Sequence, residues 1–229
     1  MQNPKLAGSN LIDAIPVGGI CPNGCVPCFY NHGDLPTGLD SYLPTLEDVG
    51  DKIVRVNSGK DSTVDFNDVI KLTRKYPKKF YNTSLPTRIC EFPAPVVFTA
   101  IPNNIQWFTA LSEPFKLMAV RLRVCSWNIK TVDSAVRHYA GMNVPIILTF
   151  LYWSESEEWN SFFNDNQDYE LKKHITGNRF MIKEKEWSRI VGRYTHYPQV
   201  FTCGSYNNHL CKDCGNCERL YKRAMSMYF

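Results

Sequence analysis

Short apolar runs recur along the chain, several of them separated by polar segments of helical length. Residues 11–17 read as a first strand that runs into Gly18 and Gly19. Residues 53–56 read as a second, ending at Asn57, Ser58 and Gly59. A helix follows, in which Phe66, Val69, Ile70 and Tyr76 share one face and Asp65 is placed to cap the start. Residues 79–83, 95–101 and 119–124 supply a third, fourth and fifth strand. The next helix is the clearest: Val132, Ala135, Val136, Tyr139 and Ala140 form its apolar stripe, Thr131 is its expected cap and Gly141 its stop. Residues 144–152 make a sixth strand, strongly apolar as expected when both faces are covered.

Strands alternating with helices imply a parallel sheet with right-handed crossovers. Six such units predict an α/β fold of the partial (β/α)6 TIM-like barrel type, open rather than closed. The segment 154–178 begins acidic, with Glu155, Glu157 and Glu158, and reads either as a lid or as an exposed helical excursion without a role. From Cys203 onward the composition changes. The expected organisation is a barrel over 1–200 and a cysteine-rich metal-binding tail over 201–229, with a helix from about Cys217.

Composition adds limits. With 229 residues, 44% of them hydrophobic, the chain can bury a full core. A net charge of +4 demands neither nucleic acid nor an anionic membrane as partner. The basic run from Arg74 to Lys79 reads as a solvated helix end. No apolar stretch reaches the roughly 20 residues of a membrane span, and the N-terminus lacks a signal-peptide pattern. The expected location is the cytoplasm. Nine cysteines there are better explained by metal than by disulfides. Cys90 and Cys125 belong to no pattern, and Cys125 reads as a small core residue.

Cys21, Cys25 and Cys28 are spaced Cys-x3-Cys-x2-Cys, in a Pro- and Gly-containing loop just after the first strand. Three thiolates on one loop hold three irons of a 4Fe–4S cluster that normally takes four, and leave the fourth iron open. Zinc, with His32 as a fourth ligand, is the rival reading.

This spacing, in the loop after the first strand of an α/β barrel, resembles the radical S-adenosylmethionine (radical SAM) superfamily over residues 11–152. The resemblance implies a six-unit partial barrel. It implies that the open iron binds S-adenosylmethionine through its amino and carboxylate groups. Reductive cleavage then yields a 5′-deoxyadenosyl radical that abstracts hydrogen from a substrate. It also implies an electron donor, either a reductase or a ferredoxin or flavodoxin. The segment Asn57-Ser58-Gly59-Lys60-Asp61 stands where the family contacts the cofactor's amino group, with Asn57, Ser58 and Gly59 as the candidate contacts, and Thr99 and Arg123 stand where it contacts ribose and carboxylate. Pro27 stands where the family usually has an aromatic residue, and Phe29 and Tyr30 follow instead. Trp127 and Trp153, just past strands five and six, are candidates to line the barrel mouth.

Cys203, Cys211, Cys214 and Cys217 in the tail have ferredoxin-like spacing and also resemble auxiliary-cluster tails of some radical SAM enzymes. A second 4Fe–4S cluster and a structural zinc are both open there. Beside the enzyme stand two other readings. One is a non-catalytic metal-binding module for nucleic acid or protein; the other is a degenerate barrel that keeps a cluster without cofactor turnover.

Overall fold

The structure is a computed structural model, and it describes residues 3–19, 21–23, 40–101, 105–113, 116–150, 152–154, 167–173 and 179–229. Six strands follow one another in the main sheet: β1 (Leu11–Ala14), β2 (Ile53–Val56), β3 (Lys79–Thr83), β4 (Val96–Ala100), β5 (Leu117–Val124) and β6 (Ile146–Phe150). All are parallel and lie side by side in chain order. That is the expected arrangement. The sequence did not show a seventh strand, which pairs in parallel with β6 at the far edge and is labelled β10 below.

Strand alternation divides the apolar residues between the two faces. On the first face, Val54, Val56, Phe98, Val120, Leu122 and Ile146 belong to a core roofed by three helices: α2 (Phe66–Thr73), α3 (Ile129–Gly141) and α4 (Glu184–Gly192). Residues one position away, among them Leu11, Ile53, Phe80, Val97, Ala119 and Ile147, form a second core on the other face. The short α1 (Leu46–Val49) precedes β2 and is closed by a reciprocal capping box between Thr45 and Asp48.

The sixth strand is shorter than expected. The apolar run divides into β6 and β7 (Tyr152–Ser154), and β7 leaves the main sheet. It pairs antiparallel with β9 (Arg179–Ile182), which also pairs antiparallel with β8 (Tyr169–Lys172). The described part of the segment 154–178 supplies strand β8 of a small second sheet; residues 155–166 and 174–178, on which the lid and helical-excursion readings fall, lie outside the described residues. β1 likewise stops at Ala14, after which Ile15 makes a single antiparallel bridge to Tyr42.

Two expected caps differ. The helix assigned to Thr131 begins at Ile129, with Asn128 in the capping position. The Asn128 side chain accepts from the backbone N–H of Cys125 and donates to the carbonyl of Arg123, which ties the end of β5 to the helix start. Asp65 does precede α2, but in a left-handed conformation (φ 53°) and without a side-chain cap bond. Its carboxylate lies 3.7 Å from the Lys60 ammonium instead.

After β10 (Val200–Thr202) the chain forms α5 (Cys211–Cys214) and α6 (Asn216–Tyr228). Leu220, Tyr221 and Ala224 of α6 cover the second face, and Tyr221 meets Phe80 with ring centroids 6.5 Å apart. The residue 201 boundary thus falls inside a strand of the main sheet. Among the described residues no helix is long and apolar enough to cross a membrane.

Candidate functional site

The second face becomes polar toward the C-terminal ends of the strands. Asp13, Arg55, Asn82, Thr99, Arg121 and Arg123 stand there, each two or four residues beyond an apolar residue of the second core. Arg55 clamps Asp13 across the first two strands, with Nε to Oδ1 at 2.6 Å and Nη2 to Oδ2 at 3.0 Å. Both side chains are nearly excluded from solvent. Burial works against the charge on Arg55, but the adjoining Asp13 carboxylate outweighs it and holds the guanidinium more basic than usual.

The backbone N–H of Asn57 donates to the Ala14 carbonyl, so the segment 57–59 lies beside the end of β1. Asn57 is buried in a left-handed conformation (φ 54°). Its side-chain N–H donates to Ser62 Oγ at 3.3 Å, while its Oδ1 is buried with no hydrogen-bond partner. Ser58 Oγ donates to Asp13 Oδ2 at 3.3 Å. Gly59 is half-buried. Thr99 on β4 is buried and Arg123 on β5 pairs in register with Thr149, whose hydroxyl is buried without a partner. Thr99 and Arg123 share the second face with Asp13, on strands two and three places from β2, which leads into the 57–59 segment.

Cys21 lies seven residues past β1 and is half-buried. Cys25, Cys28, Pro27, Phe29, Tyr30 and His32 lie outside the described residues. The stretch leading to Cys21 is held by Lys60, for which the sequence suggested no separate role. Its buried ammonium donates to the carbonyls of Val17 (3.2 Å) and Gly18 (2.6 Å). Next to it, the Asp61 carboxylate accepts from the N–H and hydroxyl of Thr63, the hydroxyl of Thr83, and the N–H and hydroxyl of Ser84. Five donors on one buried carboxylate fix the 57–65 turn to the end of β3. Trp127 is largely exposed and stacks near Tyr169, centroids 5.5 Å apart.

All four tail cysteines line one cavity of about 150 Å3, together with Arg55 and Arg121. Burial pushes the Cys217 thiol up to about 11 against the pull of Arg121 and Arg55, and raises Cys211 as well. The thiols share this cavity without being gathered on one point. Among the described residues no group of three or more His, Cys, Asp or Glu side chains is drawn together to hold a metal ion. Nor do the tail cavity and a neighbouring cavity between α4 and β10 include Asn57, Ser58, Gly59, Thr99 or Arg123 in their linings. Of the two cysteines without a pattern, Cys125 is fully buried at the end of β5, as expected of a core residue, and Cys90 is exposed.

One signal for Asp13 and Arg55 was present in the sequence: a charged residue of opposite sign in the middle of each of two adjacent apolar strands. The roles of Lys60 and Asp61 carried none, because the Lys60 ammonium bonds carbonyls 42 and 43 residues away and Asp61 draws three of its five donors from Thr83 and Ser84, 22 and 23 residues on. No protein-family model matches the chain, and no curated protein or solved structure matches it.

Proposed function

We propose that this protein is a radical SAM enzyme built on an open, partial (β/α) barrel, with a 4Fe–4S cluster on Cys21, Cys25 and Cys28. The observation that carries the reading is the Cys-x3-Cys-x2-Cys spacing beginning just beyond the first strand of a parallel sheet whose strands follow chain order. The approach of the sheet's two edges favours a curled sheet: Leu11 of β1 and Cys203 after β10 line the same cavity. Ligands in such folds bind beyond the C-terminal ends of the strands, the side on which Cys21 and the 57–59 segment lie.

When bound, such a cluster supplies the electron that cleaves S-adenosylmethionine and so the radical that takes hydrogen from substrate. The chain's own groups bind and position. Asn57 Oδ1 is a buried acceptor without a partner, and the cofactor's ammonium is a donor that suits it. Arg123 offers a cation for the carboxylate, and Thr99 a hydroxyl for the ribose. Lys60 fixes the approach of the cysteine loop by bonding its carbonyls. An oxygen-sensitive cluster fits the cytoplasm, with a reductase or a ferredoxin or flavodoxin as donor.

The test is anaerobic incubation of iron-loaded, dithionite-reduced protein with S-adenosylmethionine, followed by chromatography for 5′-deoxyadenosine. Slow formation without substrate is expected. Cys21→Ala, Cys25→Ala and Cys28→Ala should each abolish it. Arg123→Ala should weaken cofactor binding by about 1–3 kcal/mol, the value of a charged hydrogen bond. An iron-loaded protein that forms no 5′-deoxyadenosine and shows no spectral change with the cofactor would overturn the enzyme reading in favour of the degenerate barrel.

A further inference from the structure

Three positive features meet at the cavity of about 150 Å3 on the second face, which Leu11 and Ile147 also line. The first is Arg121, half-buried on β5. It makes one long hydrogen bond, Nη1 to Asn82 Oδ1 at 3.5 Å. Arg55, on the same wall, differs, because Asp13 already neutralises it. The second is Lys212 on α5, exposed, with its stem laid along the chain at Gly8: a Cβ there would come within 3.3 Å of Lys212 Cδ. The third is the start of α6. Gly215 holds the capping position in a left-handed conformation (φ 61°) and has no side chain to bond the first N–H groups. Gly215, Asn216 and Cys217 line the cavity, so the positive end of a 13-residue helix meets it.

Among the described residues no carboxylate is paired with Arg121 or Lys212. Lys5, before β1, is within electrostatic reach of Arg55, and its short helical turn packs against α5. Glu218 is the one carboxylate residue on the described lining, and it is already held by Lys222 at 2.7 Å and Asn10 at 3.1 Å. A half-buried guanidinium has given up hydration, and here no acidic side chain repays it.

We propose that this cavity binds a phosphate group, free or carried as the ester of a small molecule, between Arg121, Lys212 and the start of α6. The guanidinium offers parallel N–H donors to two phosphate oxygens. The ammonium meets the group as a point charge, and the helix start adds backbone N–H donors. A carboxylate, with a single charge and fewer oxygens, uses only part of this set. Volume limits the occupant. A cavity of about 150 Å3 in another protein holds benzene, and a phosphate group is no larger. Anything attached to it must lead out on the exposed side, at Lys212. The site stands on these residues alone and does not depend on the reading of Cys21, Cys25 and Cys28.

Calorimetric titration of the full-length protein, without S-adenosylmethionine, tests the site with inorganic phosphate, methyl phosphate and acetate. One phosphate group per chain is expected to bind, with acetate about tenfold weaker for the charged contact it lacks. The tighter of the two phosphate probes tells whether the free ion or an ester is the better ligand. Arg121→Met should weaken phosphate about tenfold or more, the value of a lost charged hydrogen bond, and Arg121→Lys should keep part of the affinity. Lys212→Met, at an exposed position, should weaken it a few-fold. Lys78→Met removes the same charge away from the cavity and should leave binding unchanged. Circular dichroism shows whether each variant is folded. If Arg121→Met is not, Lys212→Met on the exposed side of α5 carries the test. Absence of phosphate binding, acetate bound as tightly as phosphate, or parent-like affinity in both Arg121→Met and Lys212→Met would overturn the site.

Discussion

Asp13 and Arg55 are a residue-scale commitment made inside the main sheet. Two opposite charges with less than a tenth or so of their side-chain surface exposed gain little net stability as a pair, because each has lost its hydration. Removing one is another matter, since it strands the other. Asp13→Ala should therefore cost about 3–5 kcal/mol, read as a lower urea midpoint for the metal-free chain. The double variant Asp13→Ala/Arg55→Met should recover a large part of that loss. If the double variant is as unstable as the two single losses added together, the pair is not the energetic unit described above. Ser58 also bonds Asp13, so the loss should loosen the 57–59 segment and weaken S-adenosylmethionine binding beyond its effect on stability. Of this cluster the sequence showed the two charges within apolar strands and the place of the 57–61 segment; the role of Lys60 was illegible, because nothing local announces a lysine that bonds carbonyls 42 and 43 residues away.

At the scale of elements, α3 and α4 roof the first face side by side and are joined by one carboxylate. Asp133 on α3 accepts from Arg193 at 2.6 Å and from the Tyr194 hydroxyl at 2.8 Å, both just past the end of α4. Burial tends to raise the acid's pKa, but these donors outweigh it and the net shift is downward. A carboxylate with a depressed folded pKa stabilises the fold above its unfolded pKa, near 4. That contribution is lost as pH falls through the lower folded value. Stability followed from about pH 5 down to pH 2 should thus fall less steeply in Asp133→Asn than in the parent, while at neutral pH the variant is the weaker of the two. Parallel curves would show that the bridge does not couple to folding. The helices α2, α3 and α6 and the strands β2 and β3 were legible because each is a continuous pattern, whereas α1, α4 and α5 were not read from the sequence. The break between β6 and β7 was not. The chain stays apolar across it, and only tertiary pairing decides that Tyr152 joins Met181 and Trp153 joins Phe180 rather than continuing beside β5. β10 escaped notice because three residues carry no readable period.

For the whole molecule, the decisive feature is that the main sheet has two apolar faces and the crossover helices among the described residues lie on the first. Those helices cover the first face. The second is covered near the strand beginnings by α6, the last helix, whose Leu220, Tyr221 and Ala224 meet Leu11, Ile53, Phe80 and Ile147. The link is non-local: Asn10, before β1, donates to Glu218 across 208 positions at 3.1 Å, and Arg223 donates to the Asn143 carbonyl at 3.0 Å. The tail is therefore part of the core and not an appendage hung from it. Leu220→Ala should cost about 2–5 kcal/mol, the range for emptying a buried leucine site. A chain ending at Gly215 should fare worse. It uncovers Phe80, Val97 and Ile147 together, a contiguous apolar patch of the kind that drives association. Size-exclusion chromatography should find it aggregated, and a hydrophobic dye should bind it strongly where the full chain binds little. The same cut also removes Cys217, so the control is the full-length Cys217→Ser variant, which loses the thiolate but keeps the helix. If that variant stays monomeric and dye-silent while the shortened chain aggregates, the cover by α6 is what holds the second face. If the two behave alike, the cysteine site is what anchors the tail and the helix packs only after it forms.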